Sequence, residues 1–346
     1  MTMLRFASLL VTVLCAVIAC RAQKVDTLPA YEPQQIVTGN LRLWGHGSPT
    51  NDFMGKLVRS WEEGFRKYHP GVQFENRMYG TASAMGALYA GAGDLAIMGR
   101  EIWPYEVTTF EKVFHYPPLG VDITTGSLDI RNMDFALNVF VHKDNPLARL
   151  TMTQVDAVFG SEHRRGPRNI RTWGELGLTG EWKDKRIHVY GFPVNRGFAV
   201  FFQDAALGGS HKWNCDIKEF ADLRQPDGSL LDGGQQILEA LANDPYGIAY
   251  SNLRYRNAQV KALAIATADD GPSYEATKEN LIQRNYPLTR FITTFVNRAP
   301  GRPLDPKVKE FLRYILSREG QQAIVRDGNY LPLSEDAIHA QLRKLD

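Results

Sequence analysis

Four times the chain runs from a short apolar strand into a turn of small, hydroxyl-bearing or charged residues that lies just before or after a helix. Leu41-Arg-Leu-Trp44 ends at Gly45 and leads into His46-Gly-Ser-Pro-Thr-Asn51. Met54, Leu57, Val58, Trp61 and Phe65 follow at helical spacing, with Asn51 or Asp52 as the cap and His69-Pro-Gly71 as the stop. Val72 and Phe74 open a second strand that reaches Gly80-Thr-Ala-Ser83 and a short helix with Met85, Leu88 and Tyr89. Asp94-Leu-Ala-Ile-Met98 reads as a buried parallel strand ending at Gly99-Arg100-Glu101. Far downstream, Ile187 to Tyr190 enters Gly191-Phe-Pro-Val-Asn-Arg196, and an apolar helix opens near Gly197. This alternation predicts an α/β fold, and open α/β sheets hold ligands beyond the carboxyl ends of their strands.

The Val189–Phe198 turn carries the sharpest chemical suggestion. A helix start leaves backbone N–H groups unpaired and places the positive end of the helix dipole there, which suits an anion. Arg196 adds a planar, permanently charged donor set. A plain strand-to-helix corner with Arg196 in solvent fits the same residues, and Ser or Thr in the other turns can simply cap helices. Three such turns in succession weaken the capping account.

A chain of 346 residues has room for two domains. Its net charge of +2 offers no global field for nucleic acid. Arg5 precedes an apolar run from Phe6 to Ala19 that is too short to span a bilayer comfortably, so residues 1–22 read as a signal peptide. Val17-Ile-Ala-Cys20 resembles a bacterial lipobox, with Cys20 as the lipidated residue; the alternative is plain secretion with cleavage near Ala22. Residues 23–38, polar with two prolines, read as a linker. With Cys15, Cys20 and Cys215 the only cysteines, no disulfide framework is available despite export, and Cys215 reads as a buried structural thiol.

Phe135 to Val141 forms another strand, and Thr153 is expected to cap a helix over Val155 to Phe159. Residues 161–169 read as a solvated basic loop, residues 216–243 as one or two helices, and Gly247–Tyr250, Val260–Ile265 and Phe291–Val296 as strands. Helices follow Pro306 and run through Ile324. The histidines form no H-x-x-x-H pair and no Gly-x-Ser-x-Gly elbow exists, so neither a metal site nor a hydrolase is indicated.

Over nearly all of residues 40–335 the chain resembles the phosphate-binding group of extracytoplasmic solute-binding proteins that serve ABC transporters. The resemblance rests on Gly47-Ser48, Gly80-Thr-Ala-Ser83, Asp94 to Glu101 and Thr172-Trp-Gly-Glu-Leu-Gly177. It is strongest over Tyr286-Pro-Leu-Thr-Arg290, Phe295-Val-Asn-Arg298, Leu304-Asp-Pro306 and Leu316-Ser-Arg-Glu-Gly320. It implies a two-lobed Venus-flytrap, each lobe a mixed sheet flanked by helices, with lobe one spanning 39–130 plus 262–346 and lobe two 131–261. It also implies a periplasmic or membrane-tethered monomer without cofactor, metal or catalysis. Such a protein captures phosphate or a related oxyanion between its lobes and delivers it to a permease.

By the resemblance, Ser48, Thr50, Thr81 and Ser83 offer hydroxyls from lobe one. Asn195 and Gly197 line the lobe-two loop, and Arg196 or Arg100 balances charge. The match is incomplete. The third turn reads Met98-Gly99-Arg100 where the family has a hydroxyl, and Phe192, Arg196 and Phe198 stand where it has Arg, Ser and Thr. Three readings stay open: Arg196 restores the charge balance from another place on the loop, it fills the cleft, or it binds a larger carboxylate, sugar acid or phosphorylated ligand with Phe192 and Phe198 as apolar walls. A sensor or adaptor that has lost ordinary phosphate binding is the alternative reading.

Overall fold

Alternate residues decide the first strand. In β1 (Gly39–Gly45) Leu41 and Leu43 are fully buried, and α1 (Phe53–Arg66) lays Met54, Leu57, Val58, Trp61 and Phe65 against them as one apolar stripe. The structure, a computed structural model, describes residues 24–47, 52–130, 136–195 and 197–346. The chain continues through β2 (Val72–Arg77), α2 (Thr81–Tyr89), β3 (Leu95–Met98), α3 (Pro104–Phe114), which starts on a proline, and β4 (Leu119–Thr125). It then builds a second unit from β5 (Leu137–His142), β6 (Arg149–Thr151), α4 (Met152–Phe159), β7 (His188–Gly191), α5 (Gly197–Ala206) and β8 (Lys218–Glu219). A hairpin of β9 (Leu223–Arg224) and β10 (Leu230–Leu231) precedes α6 (Gly233–Ala242), followed by β11 (Gly247–Asn252), β12 (Val260–Ala262), β13 (Ala264–Ala266), β14 (Ser273–Tyr274) and α7 (Lys278–Ile282). The chain returns as β15 (Phe291–Val296) and ends in α8 (Pro306–Ile315), α9 (Arg318–Asp327) and α10 (Glu335–Arg343).

Two five-stranded mixed sheets result, ordered β2-β1-β3-β15-β4 and β12-β5-β11-β7-β8. In the first, β1 runs parallel to β2 and β3, whereas β15 runs antiparallel to β3 and β4. That reversal brings the start of β15, preceded by Arg290, to the carboxyl end of β3. In the second, β7 is parallel to β11, so the turn before α5 opens at a carboxyl end as well. The segments joining the sheets run side by side. Gly126 N–H donates to the Arg290 carbonyl at 3.0 Å, Leu137 N–H to that of Leu288 at 3.1 Å, and the buried Tyr286 hydroxyl to that of Leu137 at 3.0 Å.

Several expectations are corrected. Residues 24–38 are not a loose linker: Val25, Leu28, Tyr31 and Val37 are buried in the first core. The Tyr31 hydroxyl donates to Glu310 at 2.6 Å and lies 2.7 Å from His69 Nε2, while the Tyr31 N–H donates to Glu319. Residues 263–288, expected in lobe one, place Leu263, Ile265, Leu281, Tyr286 and Leu288 in the second core. The expected strand 260–265 divides at Leu263, β12 pairing with β5 and β13 with β6. Thr151, not Thr153, caps α4, exchanging hydrogen bonds with Gln154 in a reciprocal box. Residues 216–243 hold a single helix, and Cys215 is exposed. In the basic loop, Arg165 donates to the Ala205 and Ala206 carbonyls at the end of α5 and Arg164 pairs with Glu162.

Candidate functional site

The three lobe-one turns are fixed to one another by bonds from main-chain N–H groups. His46 N–H donates to the Ile97 carbonyl at 2.8 Å, Gly80 N–H to that of Gly45 at 2.9 Å, and Gly99 N–H to Thr81 Oγ1 at 3.1 Å. Gly45 has a φ of 149°. A Cβ there would overlap the Ile97 main chain, so only glycine allows β1 and β3 to close this tightly at their ends.

Arg290 is buried at the base of these turns. Its Nε and Nη2 donate to the two carboxylate oxygens of Glu101 at 2.9 and 2.8 Å, and its guanidinium carbon lies 5.3 Å from the Phe201 ring centroid. Phe201 belongs to α5, so this side chain touches the far side of the cleft. Arg100 makes a second fork, with Nη1 and Nη2 each 2.8 Å from Glu106, and stacks 3.6 Å above the Trp103 ring. Gly197, the first residue of α5, faces Arg100: a Cβ on it would sit 3.8 Å from the Arg100 Cβ and Cδ. The positive end of α5 therefore faces the third lobe-one turn. Burial, with the Arg290 charge second, pushes the His46 imidazole down to about 4, so it is neutral. The Asp204 carboxyl, on α5, is raised by desolvation and then by the Glu101 charge.

The expected site residues divide three ways. Ser48, Thr50, Arg196 and the lipidation candidate Cys20 lie outside the described residues. Thr81, Ser83, Arg100 and Gly197 lie on the turns and helix starts that flank the cleft, and Asn195 is exposed on the lobe-two loop. Thr81 Oγ1 accepts from the Gly99 N–H, whereas Ser83 spends its proton on the Gly80 carbonyl at 2.8 Å. Arg100 reaches the cleft with its charge already matched by Glu106, so it is not the free counter-charge expected of it. Phe192 is no cleft wall: it is buried against Phe198 and Tyr250 in the second core. Phe201 takes the place facing lobe one.

A model of the PBP superfamily domain matches residues 47–319. The phosphate-binding protein PstS of Pseudomonas aeruginosa is 33% identical over 319 residues, covering 92% of this chain and 90% of its own length. The chain belongs to the PBP superfamily, as a homologue of phosphate-binding solute-binding proteins. Solved structures agree on the fold. PstS from Borrelia burgdorferi superposes with a TM-score of 0.53 at 14% identity, covering 85% of this chain and 99% of its own. An ABC-type phosphate transport receptor from Vibrio cholerae gives 0.50 at 16% identity, over 85% and 100%.

Within this superfamily's two-lobed fold, residues missed by sequence reasoning make up much of the described floor: His46, Glu101, Glu106, Phe201, Asp204 and Arg290. Their local signals are weak. Arg290 and Glu101 are 189 positions apart, and only the antiparallel return of β15 joins them. Among the described residues no group of three His, Cys, Asp or Glu could hold a metal ion.

Proposed function

We propose that this protein is an extracytoplasmic solute receptor that closes on phosphate or a related oxyanion and presents it to an ABC permease. One observation carries the reading. The N-terminus of α5 in one unit faces the Gly99–Arg100 turn of the other, beside the start of α2, so oriented N–H dipoles converge from two bodies on one cleft. The 33% identical PstS homologue supports phosphate as the first ligand to test. Binding and hinge closure suffice, with no catalytic step. The lobes are residues 24–125 plus 291–346, and 136–288, and the side-by-side joining segments are the hinge. No described helix is long and apolar enough to cross a membrane; attachment through Cys20 and a monomeric body complete the proposal.

The paired charges favour a second reading. Arg290 and Arg100 are both neutralised by carboxylates, so the described floor carries no spare cation. A sensor or adaptor for a weakly charged or organic anion fits this balance. Thermal melting with phosphate, sulfate, methylphosphonate and organic acids separates the two. A ligand bound only by the native state at 100 times its Kd adds about 2.7 kcal/mol of stability, a readily measured rise in Tm. If millimolar phosphate leaves Tm unchanged, the phosphate receptor is excluded; if every anion does, the adaptor reading stands.

A further inference from the structure

α1 begins at the first cleft turn and runs roughly 20 Å away from it. At its far end a cavity of about 340 Å³ opens between α1 and α9. Glu63 and Lys67, one helical turn apart, line one side, Glu319 and Arg326 line the other, and Tyr314 of α8 forms the floor. Gly64 makes that floor possible, since a Cβ there would overlap the Tyr314 hydroxyl oxygen. Tyr314 is only 3% exposed, yet its hydroxyl makes no hydrogen bond with any described residue. Burial, then Tyr68 and Glu319, push this hydroxyl up to about 12, with the Arg326 charge opposing, so it keeps a proton to donate. Glu319 is already engaged: it accepts from the Tyr31 N–H at 2.7 Å and lies 3.5 Å from Arg318. Glu63, Lys67 and Arg326 form no ion pair with any described residue, although Glu63 and Lys67 stand at a spacing that commonly pairs.

We propose that this cavity is a second ligand site, separate from the cleft, for a small aminoalkyl phosphate or phosphonate. Lys67, Arg326 and the Tyr314 hydroxyl hold the terminal phosphoryl group, and Glu63 holds the ligand's ammonium. The donors decide the class. An ammonium, a guanidinium and a hydroxyl converge from three helices, which suits a group with three acceptor oxygens better than the two of a carboxylate. Two cations and one unmatched carboxylate ask for a dianion joined to a single positive charge. Glu63 and Lys67 lie roughly 5–6 Å apart at Cβ, so a linker of about two carbons spans the two ends. A buried hydroxyl without a partner is costly, and a phosphoryl oxygen supplies the missing acceptor.

The test is calorimetric titration of 2-aminoethylphosphonate and phosphoethanolamine into the full mature chain at about pH 7.5, where a phosphate monoester carries close to two charges. Ethanolamine, methylphosphonate and glycerophosphoethanolamine are the controls; the last has both groups but only the single phosphodiester charge of a lipid headgroup. Both aminoalkyl compounds should bind, and each control should bind about tenfold more weakly or not at all. Tyr314→Phe keeps the buried ring and should weaken the aminoalkyl compounds about tenfold. Lys67→Ala and Arg326→Ala, at exposed positions, should each weaken them about fivefold. Glu63→Gln should lower them to the level of methylphosphonate while leaving methylphosphonate itself unchanged. Tm is recorded for each variant, and the three exposed positions decide the matter if Tyr314→Phe is unstable. Absence of binding by both aminoalkyl compounds overturns the proposal, as does a control that binds equally well. Binding that ignores all four substitutions overturns it too, because the ligand then sits elsewhere, the cleft included. None of these outcomes depends on whether the cleft takes phosphate.

Discussion

The two sides of the cleft are built on opposite principles. On the lobe-one side the polar groups are already matched: Arg100 with Glu106, Arg290 with Glu101, and the main-chain N–H groups of His46, Gly80 and Gly99 with fixed acceptors. On the lobe-two side, α5 brings Gly197, Phe198 and Phe201, backed by a stack of Phe202, Trp213 and Tyr250. One side fixes direction through dipoles set in place by ion pairs; the other shapes an apolar cap around a helix start. A ligand recognised here is read by orientation more than by net charge, because the described charges cancel.

The sharpest way to break that contrast is to remove one member of the lobe-one pairing. Glu101→Ala strands the buried Arg290 guanidinium without its counter-ion, and breaking such a pair costs about 3–5 kcal/mol. Phe201→Leu on the opposite wall keeps an apolar side chain and should cost only about 1 kcal/mol, since part of its volume is retained. Urea unfolding of both variants measures the two values. Equal costs would mean that the charge network is not what holds the lobe-one side.

A second test uses acid. In the unfolded chain His46 takes a proton near 6.5; in the folded protein it resists until about 4, because burial and then Arg290 oppose the charge. Between those values the unfolded state binds more protons, so stability falls as pH falls through the window. The difference of roughly 2.5 units amounts to about 3 kcal/mol, fully lost below pH 4. In His46→Gln this part of the pH dependence should vanish, leaving only the carboxylate contribution. A wild-type profile that superposes on that of His46→Gln would show that the ring titrates normally.

How legible these features were in the sequence follows from their range. β1, α1 and β3 were readable because Leu41, Leu43 and the Met54–Phe65 stripe repeat at the strand and helix periods. The cap at Thr151 was also local, a Thr-x-x-Gln box, but Thr153 two residues on competed for it. The N-terminal strap misled because its composition is polar; four separated side chains, Val25, Leu28, Tyr31 and Val37, do the anchoring, with no periodicity to reveal them. The site was partly legible. Thr81, Arg100 and Gly197 stand at helix and strand ends that sequence can place. That Arg100 is matched by Glu106, that Phe192 turns inward, and that His46 fills the space at Gly99 are tertiary facts. Each depends on where β1, β3 and β15 end relative to one another.

The smallest effect discriminates most finely between the two sides. Glu106 accepts from both Arg100 nitrogens and from the Trp103 N–H at 2.8 Å, so it cancels a cation beside the α5 terminus and also starts α3. Glu106→Gln preserves an acceptor at the third position of that helix, where Gln serves as Glu does. It removes the negative charge and releases the Arg100 guanidinium toward the cleft. With solvent-screened charges a few ångströms apart, the gain for a dianion is about 1 kcal/mol, or roughly fivefold in Kd. The gain should shrink as salt rises from about 0.05 to about 0.5 M, where the screening length falls to a few ångströms. Sulfate and phosphate titrations at the two ionic strengths check it. Tighter, salt-sensitive binding would mean that the wild-type cleft is deliberately short of positive charge. Unchanged affinity would mean that Arg100 does not reach the ligand at all, leaving recognition to the helix starts.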